Sequence, residues 1–264
     1  MKKLMMGVLV LLLTQTVSAQ QEAKSKKQIR REQREEKMNK MARQEEEGVI
    51  GYSRHLVFGF KLTTDGYGGL VEIARAQSVK RATLYQLEIT ERKTAKEEKL
   101  QNPYFNTTPF ILGKINFVYP VKLGLQKQFL LGNKGNKNGV SITGNIGGGI
   151  AMSLLRPYQV EVADTTTGGT KFVSYESDSS TYFTHQIVSG PGFGRGWGQV
   201  KVVPGAYVKS GVRFDYGKYN EMVSAIEVGL SAEFYSKKIP QMIYQKYQQF
   251  FFSGYVAIIF GKRK

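Results

Sequence analysis

Between residues 201 and 216 apolar and polar side chains alternate. Val202, Ala206, Val208, Val212, Phe214 and Tyr216 share one face of an extended chain, and Lys209, Gly211, Arg213 and Asp215 share the other. Side chains alternate along a strand with period two, so this pattern predicts a strand with one apolar and one polar face. Residues 222–235 repeat it, with Ile226, Val228, Leu230 and Phe234 against Glu227, Gly229, Ser231 and Glu233. The same reading along the chain predicts eight strands, at 49–63, 67–78, 82–92, 109–131, 140–155, 200–216, 221–236 and 248–261.

The connections have a rhythm. Those at 79–81, 132–139 and 217–220 are short, and those at 93–108, 156–199 and 237–247 are long. The first, at Asp65-Gly66, is a hairpin dipeptide and departs from the rhythm. Short turns on one side and long loops on the other mark bacterial outer-membrane barrels, and an even strand number allows closure without an edge in lipid. The expected fold is all-β: an eight-stranded antiparallel transmembrane β-barrel over 49–264, with both termini on the periplasmic side. Pro120, on the polar face of the fourth strand, predicts a bulge.

In a membrane barrel lipid wets the apolar faces and the polar faces line the lumen. The lumen would then hold a charge network of Lys61, Glu72, Glu88, Lys114, Lys122, Lys209, Arg213, Glu227 and Glu233, with Asp215 at its edge. Eight strands enclose only enough room for side chains or one small ligand. Charges of both signs in that space predict paired networks that plug the interior, because an unpaired buried charge costs several kcal/mol. A narrow conduit is the alternative.

The start of the chain differs. Residues 1–19 have a basic Lys2-Lys3, an apolar run from Leu4 to Leu13 and a small-residue site at Val17-Ser18-Ala19, which predicts a cleaved signal peptide and export to the cell outer membrane. Residues 20–48 are almost all Lys, Arg, Glu and Gln, with pairs such as Glu36–Lys40 at i,i+4. They predict a charged periplasmic arm, helical or disordered, able to dock on a partner.

Composition narrows the chemistry. The net charge of +17 would suit nucleic acid, but export redirects it to outer-membrane lipid, lipopolysaccharide phosphates or an acidic protein surface. With no cysteine and two distant histidines, no metal site and no cofactor are expected. Catalysis has little to work with. Lipid A deacylase barrels carry His and Ser two residues apart on one strand face, whereas Ser189 lies four residues past His185 in a loop. His55, on the lumen face, has Ser53 in the reverse order. No catalytic residue is therefore assigned, and the expectation is a protein that is not an enzyme. In the glycine-rich run 190–198, Phe193, Arg195 and Trp197 form a candidate partner loop, or aromatics that dip into the membrane interface.

Several motifs also bear a family stamp. Asn102-Pro103-Tyr104-Phe105, Gly113-Lys114-Ile115-Asn116, Leu123-Gly124, Leu130-Leu131-Gly132-Asn133-Lys134-Gly135, Gly147-Gly148-Gly149, Leu154-Leu155-Arg156-Pro157-Tyr158 and the ending Phe260-Gly261-Lys262-Arg263-Lys264 together resemble a family of uncharacterised outer-membrane β-barrel proteins from Bacteroidota. The resemblance covers roughly 50–264 and brings no catalytic residues. It implies small barrels that act as subunits of large outer-membrane machines. The expected function is a non-enzymatic structural or accessory subunit of an outer-membrane assembly or secretion complex, with outer-membrane or periplasmic protein partners. The alternatives are a narrow pore for small solutes and, third, a lipid-modifying barrel enzyme.

Overall fold

The structure, a computed structural model, describes residues 30–33, 35, 53–78, 80–104, 107–134, 139–164, 168–217 and 221–263. The chain divides into two units, Met1–Glu46 and Glu47–Lys264. In the first unit the described residues are helical, and Arg31 Nε donates to Glu35 Oε1 at 3.2 Å. That is the i,i+4 pairing expected of the arm. The predicted signal peptide, the remainder of the arm and the start of the first predicted strand lie outside the described residues.

The elements of the second unit, in chain order, are β1 (Arg54–Thr63), β2 (Gly66–Ser78), β3 (Arg81–Arg92), β4 (Lys99–Leu100), β5 (Phe110–Ile111), β6 (Asn116–Gly132), β7 (Ser141–Pro157), β8 (Gln159–Ala163), β9 (Thr170–Ser174), α1 (Ser179–Thr184), β10 (Ile187–Ser189), a 3-10 turn at Trp197–Gln199, β11 (Lys201–Asp215), β12 (Met222–Ile239) and β13 (Gln248–Arg263). Eight of the strands close into an antiparallel barrel in the order β1-β13-β12-β11-β7-β6-β3-β2. The closing pair runs from His55↔Arg263 to Thr63↔Tyr255.

Exposure settles which way round the faces lie. Phe58, Phe250 and Val208 are exposed at 57%, 57% and 63%, whereas Lys61, Glu72 and Glu227 are at 0%. An apolar exterior over a charged interior is stable only where lipid replaces water, so the unit is a transmembrane barrel. Inward glycines make room for the large rings. A Cβ on Gly211 or Gly229 would sit 2.6 or 2.7 Å from the Tyr255 hydroxyl.

Three expectations need correction. The fourth strand does not begin at 109. Gly113 adopts φ 76, a left-handed conformation that a strand cannot continue through, so β5 ends and the barrel strand starts at Asn116. Pro120 makes no bulge. The β3–β6 register is the same on either side of it, Ile89↔Val121 and Arg92↔Val118. The connection 156–199 is not a plain loop. It folds into a three-stranded sheet, order β10-β8-β9, with α1 beside it. Together with the β4–β5 ribbon it forms a cap at one end of the barrel. The turns after β2, β6 and β11 lie at the other end, with both ends of the barrel chain.

Candidate functional site

Inward parity on β1, β2, β3, β6, β11 and β12 brings the predicted charges together in one column. At the turn end, Arg213 donates from Nη1 to Glu72 Oε1 at 2.7 Å and from Nη2 to Glu72 Oε2 at 2.8 Å. Its Nε donates to Glu227 Oε2 at 2.8 Å. His55 Nε2 lies 3.1 Å from Glu72 Oε1. Glu227 also accepts from Tyr255 Oη at 2.7 Å and Asn145 Nδ2 at 2.8 Å, and pairs with Lys209 at 3.2 Å. In the middle, Lys61 and Lys122 both donate to Glu88 Oε1 at 2.8 Å. Toward the cap, Lys122 reaches Glu233 Oε1 at 2.6 Å, and Arg92 bridges Glu233 at 2.7 Å and Asp65 at 2.6 Å.

The charges balance. Five carboxylates, Asp65, Glu72, Glu88, Glu227 and Glu233, face five cations, Lys61, Arg92, Lys122, Lys209 and Arg213. Buried pairs of this kind repay their desolvation only when the remaining lone pairs and protons are also bonded. The tyrosines and amides supply part of that here, although Glu88 Oε2 and Arg92 Nη1 are buried without a hydrogen-bond partner among the described residues. Tyr235 donates to Glu233 at 2.7 Å, Lys209 donates to Gln86 at 3.0 Å, and Lys61 sits 4.0 Å over the Tyr255 ring. The arrangement fixes the lumen as a filled ionic lattice.

Lys114 is the predicted member that does not join. The turn at Gly113 carries it into the cap, where it donates to Glu97 at 2.6 Å. Burial lowers its pKa, and Glu97 opposes part of that shift. Eight of the nine predicted lumen charges therefore share the lattice. Asp65, Arg92, His55, Asn145 and the inward tyrosines complete it. Inward parity was the available signal for Arg92 and Tyr255, but tyrosine in an apolar strand reads as part of the lipid face.

The cap has the opposite interior. Tyr158, Val160, Val162, Val173, Tyr182 and Met242 pack into an apolar core. Two tyrosine hydroxyls pin the turn before β6: Tyr158 Oη accepts from the Ile111 amide at 2.7 Å and Tyr182 Oη from the Gly113 amide at 3.0 Å. Burial pushes the Tyr158 hydroxyl up to about 12 and raises that of Tyr182. A cleft of about 310 Å³ opens beside this core, lined by Glu91, Lys93, Lys99, Lys114, Phe117 and Tyr158 among others.

The predicted partner loop is fastened to the outer wall. Arg156 continues the outward face of β7 and is buried beneath aromatic rings, with its guanidinium 4.1 Å from the Phe117 ring centre, 5.0 Å from Trp197 and 5.5 Å from Phe193. Trp197 stacks on Tyr119 at 5.6 Å and donates from its indole to the Phe193 carbonyl at 2.8 Å. Gly196 makes the turn possible with φ 83. Arg195 lies 3.9 Å over Phe172. Phe193 remains 77% exposed and Trp197 41%. Cation–π contacts with a desolvated guanidinium thus position both rings where the barrel exterior meets the cap.

No protein-family model and no curated protein matches the chain. Solved structures resemble it in fold. Neisserial surface protein A (NspA) is 6% identical, with 80% of this chain and 96% of that chain covered and a TM-score of 0.40. Ail, the attachment invasion locus protein of Yersinia pestis, is 8% identical over 81% and 100%, with a TM-score of 0.38. The N-terminal β-barrel domain of Pseudomonas aeruginosa OprF is 9% identical over 80% and 98%, with a TM-score of 0.35.

Proposed function

We propose that the protein is a non-enzymatic structural or accessory subunit of an assembly in the outer membrane. Its cap faces outward among lipopolysaccharide, and its turns face the periplasm. One contrast supports this reading: the lumen charges are bonded to one another, while the longest connection forms a cored cap with aromatic rings left exposed. Phe193 on that connection is 77% exposed, Tyr104 and Tyr244 on the other two long connections are 82% and 74% exposed, and aromatics of this kind anchor interfaces. The charged arm is a second contact. The proposal also keeps the resemblance to the Bacteroidota barrel family, whose small barrels suggest the role.

Crosslinking in intact cells, mild-detergent purification and mass spectrometry test it. The expected result is a stoichiometric set of outer-membrane or periplasmic proteins that is depleted when Phe193 and Trp197 are both replaced by alanine, or when 20–47 is deleted. A barrel that purifies alone, or a steady ion-selective current in planar bilayers, overturns the reading.

A further inference from the structure

The exterior of the barrel carries a one-sided charge pattern at the turn end. On β1, β2 and β3 the last large apolar outward residues there are Leu56, Ile73 and Tyr85, in register with one another and with Leu125 of β6, where Phe129 and Leu131 follow Lys127 on the same face. Two residues further along each strand, on the same outward face, the next row is Arg54, Arg75, Thr83 and Lys127, again in register. Lys127 Nζ donates to Thr83 Oγ1 at 2.9 Å. Arg81 extends the row toward the turn, and Lys262 stands beside Leu56 on the neighbouring strand β13.

All five cations are exposed, and among the described residues none has an ion-pair partner. This contrasts with the lumen, where every basic strand residue named above meets a carboxylate. The five occupy contiguous strands, β13-β1-β2-β3-β6. On the remaining strands, β7, β11 and β12, the described outward residues at this end are uncharged, including Ile142, Phe214, Met222 and Ser224.

A cation on the lipid face is tolerated near the interface and not at mid-bilayer, so the switch from apolar to basic on β1, β2 and β3 marks the headgroup level. We propose that this arc is a binding surface for anionic phospholipid headgroups, of the phosphatidylglycerol or cardiolipin kind, in the leaflet at the turn end. Guanidinium groups match phosphate oxygens bidentately, and neighbouring strands hold the cations close enough to share one headgroup layer. The consequence is an oriented barrel, with anionic lipid gathered along one side and ordinary lipid along the other. The inference rests on the membrane-spanning barrel and on the orientation of its turns, not on the accessory role.

The test is a lipid-association measurement on the full chain reconstituted in phosphatidylcholine vesicles, using spin-labelled phosphatidylglycerol and spin-labelled phosphatidylcholine as probes. Wild type is expected to retain phosphatidylglycerol preferentially, and added salt should erode that preference. The combined variant Arg54→Gln, Arg75→Gln and Lys127→Gln should lower it by roughly tenfold or more. Lys237→Gln with Lys238→Gln, at the cap end, should leave it unchanged. Equal association of both probes with wild type, or a preference that survives the triple substitution, overturns the proposal. An acidic protein that binds the arc while lipid preference is absent overturns it too. Loss of the folded, heat-modifiable barrel in wild type would instead sink the membrane reading itself.

Discussion

The barrel and its cap bury opposite things. The barrel hides Lys61, Glu72, Glu227 and their partners and turns Phe58, Val208 and Phe250 outward. The cap, a short stretch of the same chain, hides Tyr158, Val160, Val162 and Val173 and presents charges and a few rings. The surrounding solvent sets the hand of amphipathicity. Lipid makes apolar burial pointless and forces polar groups to find one another inside, whereas water restores the usual order. Two kinds of interior also fail differently. An ionic lattice fails when one partner is removed, and an apolar core fails in proportion to the volume lost.

The largest effect should therefore come from the lattice. Arg213 holds two carboxylates, Glu72 and Glu227. Arg213→Ala leaves both without their main cation, and breaking a buried pair in this way costs about 3–5 kcal/mol. Urea unfolding in lipid vesicles should show that loss as an earlier midpoint. Replacing the pair together, Arg213→Met with Glu72→Gln, should recover much of it, since Glu227 keeps Lys209 as its partner and no uncompensated charge remains. A double variant as weak as Arg213→Ala would mean that shape rather than charge holds this end of the lumen.

A smaller and local effect is expected in the cap. Val160 is fully buried in the cap core, and Val160→Ala removes two methyl groups from a packed site. The cost is about 2 kcal/mol, drawn from the transfer and cavity effects of core truncation. It should appear as faster proteolysis within 158–190, while the barrel keeps its heat-modifiable migration. If barrel and cap lose stability together, they are one cooperative unit, and the contrast between them is one of composition only.

How much of this was legible beforehand follows from the same contrast. Period-two alternation over long stretches located all eight barrel strands, because a lipid-exposed face tolerates few exceptions. Eight of the nine predicted lumen charges share the lattice for that reason. The cap was not legible. Its strands are five residues or fewer, as in Gln159–Ala163 and Ile187–Ser189, too short for periodicity to register. Lys114 was misplaced because Ile111, Ile115 and Phe117 keep one apolar face running past Gly113, and only the left-handed turn there separates cap from barrel. Arg156 stood just past the predicted end of the fifth strand, at the start of the long connection, and received no reading of its own. Its meaning depends on Trp197 and Phe193, some forty positions away, which no local pattern connects to it.

The smallest effect lies at the edge of the cap and tests whether its elements respond separately from the lattice. Asp178 caps α1: its Oδ1 accepts from the Thr181 amide at 3.0 Å and from Ser180 Oγ at 2.7 Å. These hydrogen bonds, first the one from the Thr181 hydroxyl, lower its pKa from 3.8 to about 2. A carboxylate whose folded pKa is depressed adds stability that is fully present above the unfolded value, about 3.8, and is lost as pH falls toward about 2, because the unfolded segment takes up the proton first. Amide exchange at Thr181 should accordingly lose protection through that window. Asp178→Asn keeps an oxygen acceptor at the cap position but cannot titrate, so its Thr181 protection should stay flat there. If protection in the wild type and in this variant falls in parallel, the acid sensitivity of the cap originates elsewhere and α1 merely reports it.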